Sequence, residues 1–417
     1  MSLEWNIKPP PPSEFADREV RLTGSHLSGK RVALLITGSI AAYRMPDLVR
    51  DYRREGADVV VYATNEGLRY VSKDALEWCS QNPVIDHFTF DAEHLSDSTP
   101  FDVFVIAPAS YNILNKAALG IADCVVSSAI AAALGRMERL GIPILFAPAM
   151  HGSMHNKILT RSMQTLQDMG VDLIPPIQTH GKNNLASLEM IVAATIRSLS
   201  KSSLYGKSVL ITGGPTPVPL DNIRSITTYF TGTLSIQIAR EAWLRGASVE
   251  LILGKGSRSA PDFINTKIAA TFEDYANILK ESLQQQSFDW GIFTAAVADF
   301  QPVSVFQGKL SSKIKQLDLK LMPTPKLIEE VRQNFPDLSM VTFKYEENVS
   351  HEELMSIAKK PFSNKICPQI VVANRAEEFK PDGTQVAWVI QPENEPEKHV
   401  GKEDIANAIL SRIEQSC

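Results

Sequence analysis

An apolar run that ends at a glycine turn and opens into a helical pattern occurs twice in this chain, and that repeat limits the fold more than any other feature. Residues 32–36 lead into Thr37-Gly38-Ser39-Ile40, and residues 208–212 lead into Gly213-Gly214-Pro215-Thr216. After each turn, apolar strands alternate with helical stretches. Strands without polar alternation are buried on both faces, as in a parallel sheet covered by helices. In the first half the pattern predicts a helix from the turn to about Glu55, strands at 58–62, 101–106 and 142–146, a helix ending before Gly120, and an Ala-rich segment over 125–133. In the second half it predicts a helix over 236–245 closed by Gly246, and strands at 248–253, 290–294, 340–343 and 370–373. A tight hairpin turn is expected at Asp382-Gly383, and a closing helix over 403–414. Ligands of open parallel sheets sit beyond the carboxyl ends of the strands, so the loops there are the places to look for function.

A chain of 417 residues exceeds one ordinary core. Residues 1–28, polar and carrying Pro9 to Pro12 in a row, read as an arm. Residues 29–197 and 208–417 read as two α/β domains, joined by the small, polar, basic stretch 198–207. With a net charge of -5, the chain is not built to bind nucleic acid through bulk electrostatics, and its expected partners are small anions in pockets. Cys79, Cys124, Cys367 and Cys417 are too scattered for a zinc site or disulfide framework, which points to a reducing cytoplasmic setting. No apolar run approaches a membrane span, and no signal peptide or anchor is expected.

In the first half, Gly38 permits a tight turn, and the helix start behind it offers N–H groups to one phosphate. Neither the G-x-x-x-x-G-K-[ST] loop nor the three-glycine dinucleotide pattern is present, which favours a mononucleotide. Farther on stand Ala107-Pro108-Ala109-Ser110-Tyr111-Asn112 and Gly120-Ile121-Ala122-Asp123, followed by Ser127. These runs resemble the P-A-S/T-A-N and G-I-A-D signatures of the flavin-containing cysteine decarboxylase family. His94 precedes Phe101-Asp102-Val103 at the spacing of that family's catalytic histidine. The resemblance implies a flavodoxin-like domain that binds FMN through Thr37, Gly38, Ser39, Ile40, Thr64, Pro108, Ala109, Ser110, Asn112, Ala122, Asp123 and Ser127. It also implies oxidation of a cysteinyl thiol, loss of its carboxylate as carbon dioxide and return of the electrons, with His94 as base or polar positioner and Met150, His151 and Met154 facing the substrate.

In the second half, Gly213-Gly214-Pro215-Thr216, Asp221 and Arg224 resemble the opening of phosphopantothenate-cysteine ligase. Ala295 to Asp299, the lysines Lys309, Lys313 and Lys315, Phe343, and Ala373-Asn374 continue the likeness. The two halves together resemble the bifunctional flavoprotein family of coenzyme A biosynthesis, whose fold would be two fused Rossmann-like domains. The likeness implies CTP as cosubstrate with Mg2+. Lys313 would contact its phosphates and Asp299 the cytidine, while Gly214, Pro215, Thr216, Asp221, Arg224, Thr228, Ala295, Lys309, Lys315, Phe343 and Asn374 complete the substrate site. It further implies a homo-oligomer, with trimeric flavin halves and dimeric ligase halves.

Some positions depart from the family pattern. The asparagine that follows Pro-Ala-Met is here His151, and the ligase asparagine is here Thr228. The cysteine of the decarboxylase flap has no counterpart between Cys124 and Cys367, and residues 175–185 offer His180 and Lys182 instead. These changes leave open a paralogue acting on another thiol or acid, or a flavin-binding scaffold.

Overall fold

The computed structural model describes residues 7–89, 95, 100–313 and 315–416. The chain divides into two compact units, residues 1–199 and 200–417.

The first unit is built on a parallel sheet of β1 (Arg31–Ile36), β2 (Asp58–Ala63), β3 (Val103–Ala109), β4 (Ile144–Pro148) and β5 (Asp172–Leu173), in the order β2-β1-β3-β4-β5. Consecutive residues from Val32 to Ile36 are all fully buried, so helices cover both faces, as the apolar runs require. On one face, Leu35, Phe104 and Phe146 pack with residues of helices Tyr111–Ala118, Val125–Leu140 and Lys157–Asp168. Helices Met45–Arg54 and Leu188–Ser198 are joined by a buried hydrogen bond between the hydroxyls of Tyr52 and Thr195, 2.8 Å apart.

The helix expected directly after Gly38-Ser39 differs from what forms. A 3-10 turn, Ile40–Arg44, intervenes, and the α-helix starts at Met45. Pro46 accounts for the split: without an N–H and with a fixed φ, proline is tolerated in the first turn of a helix but not in its interior. The Ala-rich segment over 125–133 forms the amino-terminal half of a helix that continues to Leu140. Residues 177–184 fold into a hairpin, Ile177–Thr179 with Lys182–Asn184, turning at His180 and Gly181, whose φ values are 50° and 68°.

The second unit carries β6 (Ser208–Gly213), β7 (Ser248–Gly254), β8 (Asn265–Ala269), β9 (Trp290–Phe293), β10 (Ser339–Glu346), β11 (Ile370–Arg375), β12 (Val386–Ile390) and β13 (Glu397–Val400). Their order is β8-β7-β6-β9-β10-β11-β12-β13. The strands from β8 to β11 are parallel, whereas β12 and β13 run antiparallel. The Asp382-Gly383 turn forms, with Gly383 N–H donating to the Lys380 carbonyl at 2.8 Å. It lies within a longer connection, residues 376–385, between β11 and β12. Ahead of β6, Leu204 is fully buried and the hydroxyls of Ser202 and Ser203 bond to Glu414, which packs this polar stretch onto closing helix Lys402–Gln415.

At the ends of β6 and β7 the main chains approach so closely that a Cβ on Gly254 would stand 1.5 Å from the Pro215 carbonyl oxygen. Gly254→Ala is therefore expected to destabilise the protein by about 2–3 kcal/mol, the scale of core overpacking. Thermal or chemical unfolding of the full chain checks this, and an unchanged transition would contradict it.

Candidate functional site

In the first unit, the turns that follow β1 and β3 are tied by one hydroxyl. Thr37 is buried; its Oγ1 donates to the Pro108 carbonyl at 2.6 Å and accepts the Ser110 N–H at 3.1 Å. The Ala107-Pro108 peptide is cis. Gly38 passes so close to the next loop that a Cβ there would lie 2.7 Å from Glu66 Cβ. Ser39 makes no capping bond, Ile40 and Asn112 are exposed, and Ser110 caps helix Tyr111–Ala118. These positions form one rim.

A second rim is a cavity of about 450 Å3 that gathers Thr64, Ala122 and Asp123 with Asp86, Phe88 and Cys124. Thr64 Oγ1 accepts the Gly67 N–H at 3.0 Å, which closes the loop after β2. Lys116 Nζ donates to both oxygens of Asp123, at 2.9 and 2.7 Å, and that pairing holds the Asp123 carboxyl below the usual carboxylate range. Ser127 also donates to Asp123, at 3.2 Å, and accepts the Cys124 N–H at the helix start, so its hydroxyl is committed to the scaffold. His94 lies outside the described residues.

A third rim stands at the end of β4. Met150 and His151 pair antiparallel with Asn183 and Lys182 of the hairpin, and Ala149 N–H donates to the Ala109 carbonyl at 3.1 Å. His151 Nδ1 is 2.7 Å from Ser153 Oγ, and Asn183 lies 3.1 Å from His155 Nδ1. Met154, His180 and Lys182 are exposed. Where the family pattern has an amide and a thiol, this ribbon thus carries imidazoles and a lysine.

In the second unit, the two motifs at the strand ends run side by side. Thr294 Oγ1 donates to the Thr212 carbonyl at 2.9 Å, Ala296 N–H to the Gly214 carbonyl at 2.9 Å, and Ala298 N–H to Thr216 Oγ1 at 2.8 Å. Pro215 bridges Ala296 in parallel register. Above them lies a cavity of about 300 Å3 that brings together Gly214, Ala295, Phe343 and Asn374. Its other walls went unrecognised in the sequence: Phe230, Tyr345, Phe379, Gln385 and Lys402. The ring of Tyr345 sits edge-on to Phe230 at 5.7 Å and 6.3 Å from Phe379. Tyr345 was within reach of the sequence, because it follows Phe343 by two residues on one strand and so shares its face.

Asp221 and Arg224 bond to each other and to the loops around them. The carboxylate of Asp221 has no exposed area and accepts the N–H groups of Ile223, Arg224 and Leu310 at 2.8, 2.7 and 2.9 Å, together with the Arg224 guanidinium at 2.7 Å. Burial alone would raise this carboxyl; the donors outweigh it and hold the pKa at about 2. Thr228 is exposed and lines, with Pro215 and Asp221, an open groove that meets the 300 Å3 cavity at Tyr229, Phe230 and Thr231. Lys309, Lys313 and Lys315 are exposed and line no part of the 300 Å3 cavity, and Asp299 pairs with Lys326 at 2.7 Å. The lysine segment is anchored instead to the Asp221 loop through Leu310 and Gly308.

The flavoprotein family model matches residues 21–200, and the model described as the DNA/pantothenate metabolism flavoprotein C-terminal domain matches residues 204–417. A coenzyme A biosynthesis bifunctional protein CoaBC from Thermococcus kodakarensis is 34% identical over 398 residues, covering 93% of this chain and 96% of that protein. The chain belongs to this bifunctional flavoprotein family. A coenzyme A biosynthesis bifunctional protein CoaBC from Methanocaldococcus jannaschii is 31% identical, covering 93% of this chain and 94% of that protein. The crystal structure of the DNA/pantothenate metabolism flavoprotein from Streptococcus pneumoniae overlays with a TM-score of 0.46 at 26% identity, covering 51% of this chain and all of that one. The flavoprotein match thus precedes the C-terminal-domain match along this chain.

Because Asp221's folded pKa lies below the ordinary 3.8, its contribution to stability is complete above about pH 4 and is lost as pH falls through about 2. Asp221→Asn removes that dependence. Chemical-denaturation stability measured from about pH 5 down to about pH 2.5 should fall less steeply in the variant than in the wild type, and parallel curves would contradict the assignment.

Proposed function

We propose that the second unit joins 4'-phosphopantothenate to cysteine at the expense of CTP, and that the first unit decarboxylates the product to 4'-phosphopantetheine with FMN. The observation that carries this reading is the side-by-side pairing of Thr212–Thr216 with Thr294–Ala298 beneath a cavity that also holds Phe343 and Asn374.

The residues fit the groups invoked. A side-chain-free turn at Gly38, the uncapped Ser39 hydroxyl and the cavity between Thr64 and Ala122 suit a flavin mononucleotide, which would supply two-electron redox chemistry. His151, with Nδ1 engaged by Ser153, leaves Nε2 to hydrogen-bond a substrate, and Lys182 on the paired strand offers positive charge to a carboxylate or phosphate. In the second unit, aromatic edges and the Asn374 and Gln385 amides suit a planar base, and Lys402 suits a phosphate. Among the described residues no three His, Cys, Asp or Glu side chains converge on a metal site. Mg2+ would come with the triphosphate oxygens, as is usual for this cation.

Lys309, Lys313 and Lys315 would serve the nucleotide by moving onto it or by reaching a second copy of the chain. The ribbon of Phe300–Pro302 and Leu321–Pro323 exposes Phe300 and Leu321 on one face, an apolar surface suited to a dimer of ligase units. Trimeric flavin units complete the proposed oligomer. No helix among the described residues is long and apolar enough to cross a membrane, and the free thiols of Cys79, Cys124 and Cys367 suit the proposed cytoplasmic setting. His151, Thr228 and the thiol-free hairpin favour, as a second reading, a paralogue acting on another thiol or acid.

Incubation of the purified protein with phosphopantothenate, cysteine, CTP and Mg2+ is expected to yield phosphopantetheine and carbon dioxide, and Lys313→Gln to suppress the condensation. Absence of any CTP-dependent product would contradict the ligase reading. Accumulation of phosphopantothenoylcysteine without carbon dioxide would contradict the decarboxylase reading and favour the paralogue.

A further inference from the structure

Phe379, Gly383 and Gln385 reach the 300 Å3 cavity from the irregular connection over residues 376–385. That connection has its own clasp. Glu378, whose side chain is 11% exposed, accepts Arg375 Nε at Oε1 (3.0 Å) and Trp388 Nε1 at Oε2 (2.7 Å), with His351 Nδ1 3.1 Å from Oε1. Burial alone would raise this carboxyl; Trp388, Arg375 and His351 outweigh it and keep it below the ordinary range. The turn after β10 is held by the same group of residues. Arg375 Nη1 donates to the Val349 carbonyl at 2.7 Å, and Glu377 accepts the N–H of Asn348 at 2.6 Å.

Both ends of the clasp adjoin cavity rings. Phe379 follows Glu378 directly, and the Tyr345 hydroxyl donates to Glu347, at 2.5 Å, in the turn that Glu377 and Arg375 pin. Phe379 on the connection and Tyr345 at the end of β10 are thus set by one carboxylate and its neighbours, while Trp388 ties the set to β12. Walls held by a supporting shell bind without paying to order themselves.

We infer that Glu378 is a positioning residue for the nucleotide: it touches no reacting atom but fixes the wall of Phe379, Gly383 and Gln385 against which the base of the nucleotide packs. The inference rests on the reading that this cavity takes CTP.

The test uses the full-length protein, with steady-state condensation at varied CTP, calorimetric binding of CTP alone, and thermal unfolding. Glu378→Ala is expected to raise both the KM and the Kd for CTP about tenfold while kcat at saturating CTP stays within about twofold. Glu378→Gln, which keeps the shape and the acceptor for Trp388, should show a smaller rise and carries the test if the alanine variant does not fold. Glu414→Ala is the control for mere loosening: it breaks a bond to Arg245 at 2.9 Å in the same unit, away from the cavity, and should lower Tm without moving the CTP KM. Unchanged KM in both Glu378 variants, a loss confined to kcat, or an equal KM rise in Glu414→Ala would overturn the inference. A wild-type protein that neither binds nor uses CTP would overturn the functional reading, and the clasp's role in nucleotide binding with it.

Discussion

At the carboxyl ends of β6 and β7, segments of main chain meet where no side chain fits. The Pro215 carbonyl occupies the space a Cβ on Gly254 would need, and Ser235 Oγ lies 1.8 Å from where a Cβ on Gly213 would stand. Gly214 adds a φ of 73°, a region that side-chain-bearing residues enter at a cost. The turn is therefore pressed between β7 and the start of helix Thr233–Leu244, and the bonds to Thr294–Ala298 lock its other edge. The floor of the second site is backbone. On the proposed function, discrimination among ligands would fall to the walls: the aromatic edges of Phe230, Tyr345 and Phe379, the Asn374 and Gln385 amides, and Lys402.

The first unit meets the same need with a side chain. Thr37 Oγ1 spans the turns after β1 and β3, so a single buried hydroxyl sets the distance between the two loops that would border the flavin. Acidic residues play a similar part elsewhere. Asp221 holds its loop to the lysine segment, and Glu378 holds two cavity walls together, each as an ionised carboxylate surrounded by donors. Several residues of the motifs at the strand ends thus shape the loops around them.

The strands were legible because uninterrupted apolar runs can only be buried on both faces, and the glycine turns because few residues tolerate that geometry. Less legible were features decided by a single residue or by distant contacts. Pro46 delays the first α-helix by a 3-10 turn, although the apolar pattern runs through it. The edge strands Asn265–Ala269 and Glu397–Val400 are short and partly exposed, so periodicity did not mark them. Phe379, Gln385 and Lys402 reach the cavity from a connection and a helix start far along the chain, where nothing local announces a site. The lysines over 309–315, prominent in the sequence, stand outside the cavity because their segment is bonded to the Asp221 loop.

Hydrogen–deuterium exchange with and without CTP tests the central claim, that the backbone floor and its clasped walls form the nucleotide site. CTP should slow exchange at residues 213–216, 230–235, 294–298, 343–345 and 376–385 and leave residues 31–199 unchanged. Protection confined to other segments, or no protection at CTP concentrations that support turnover, would contradict the account.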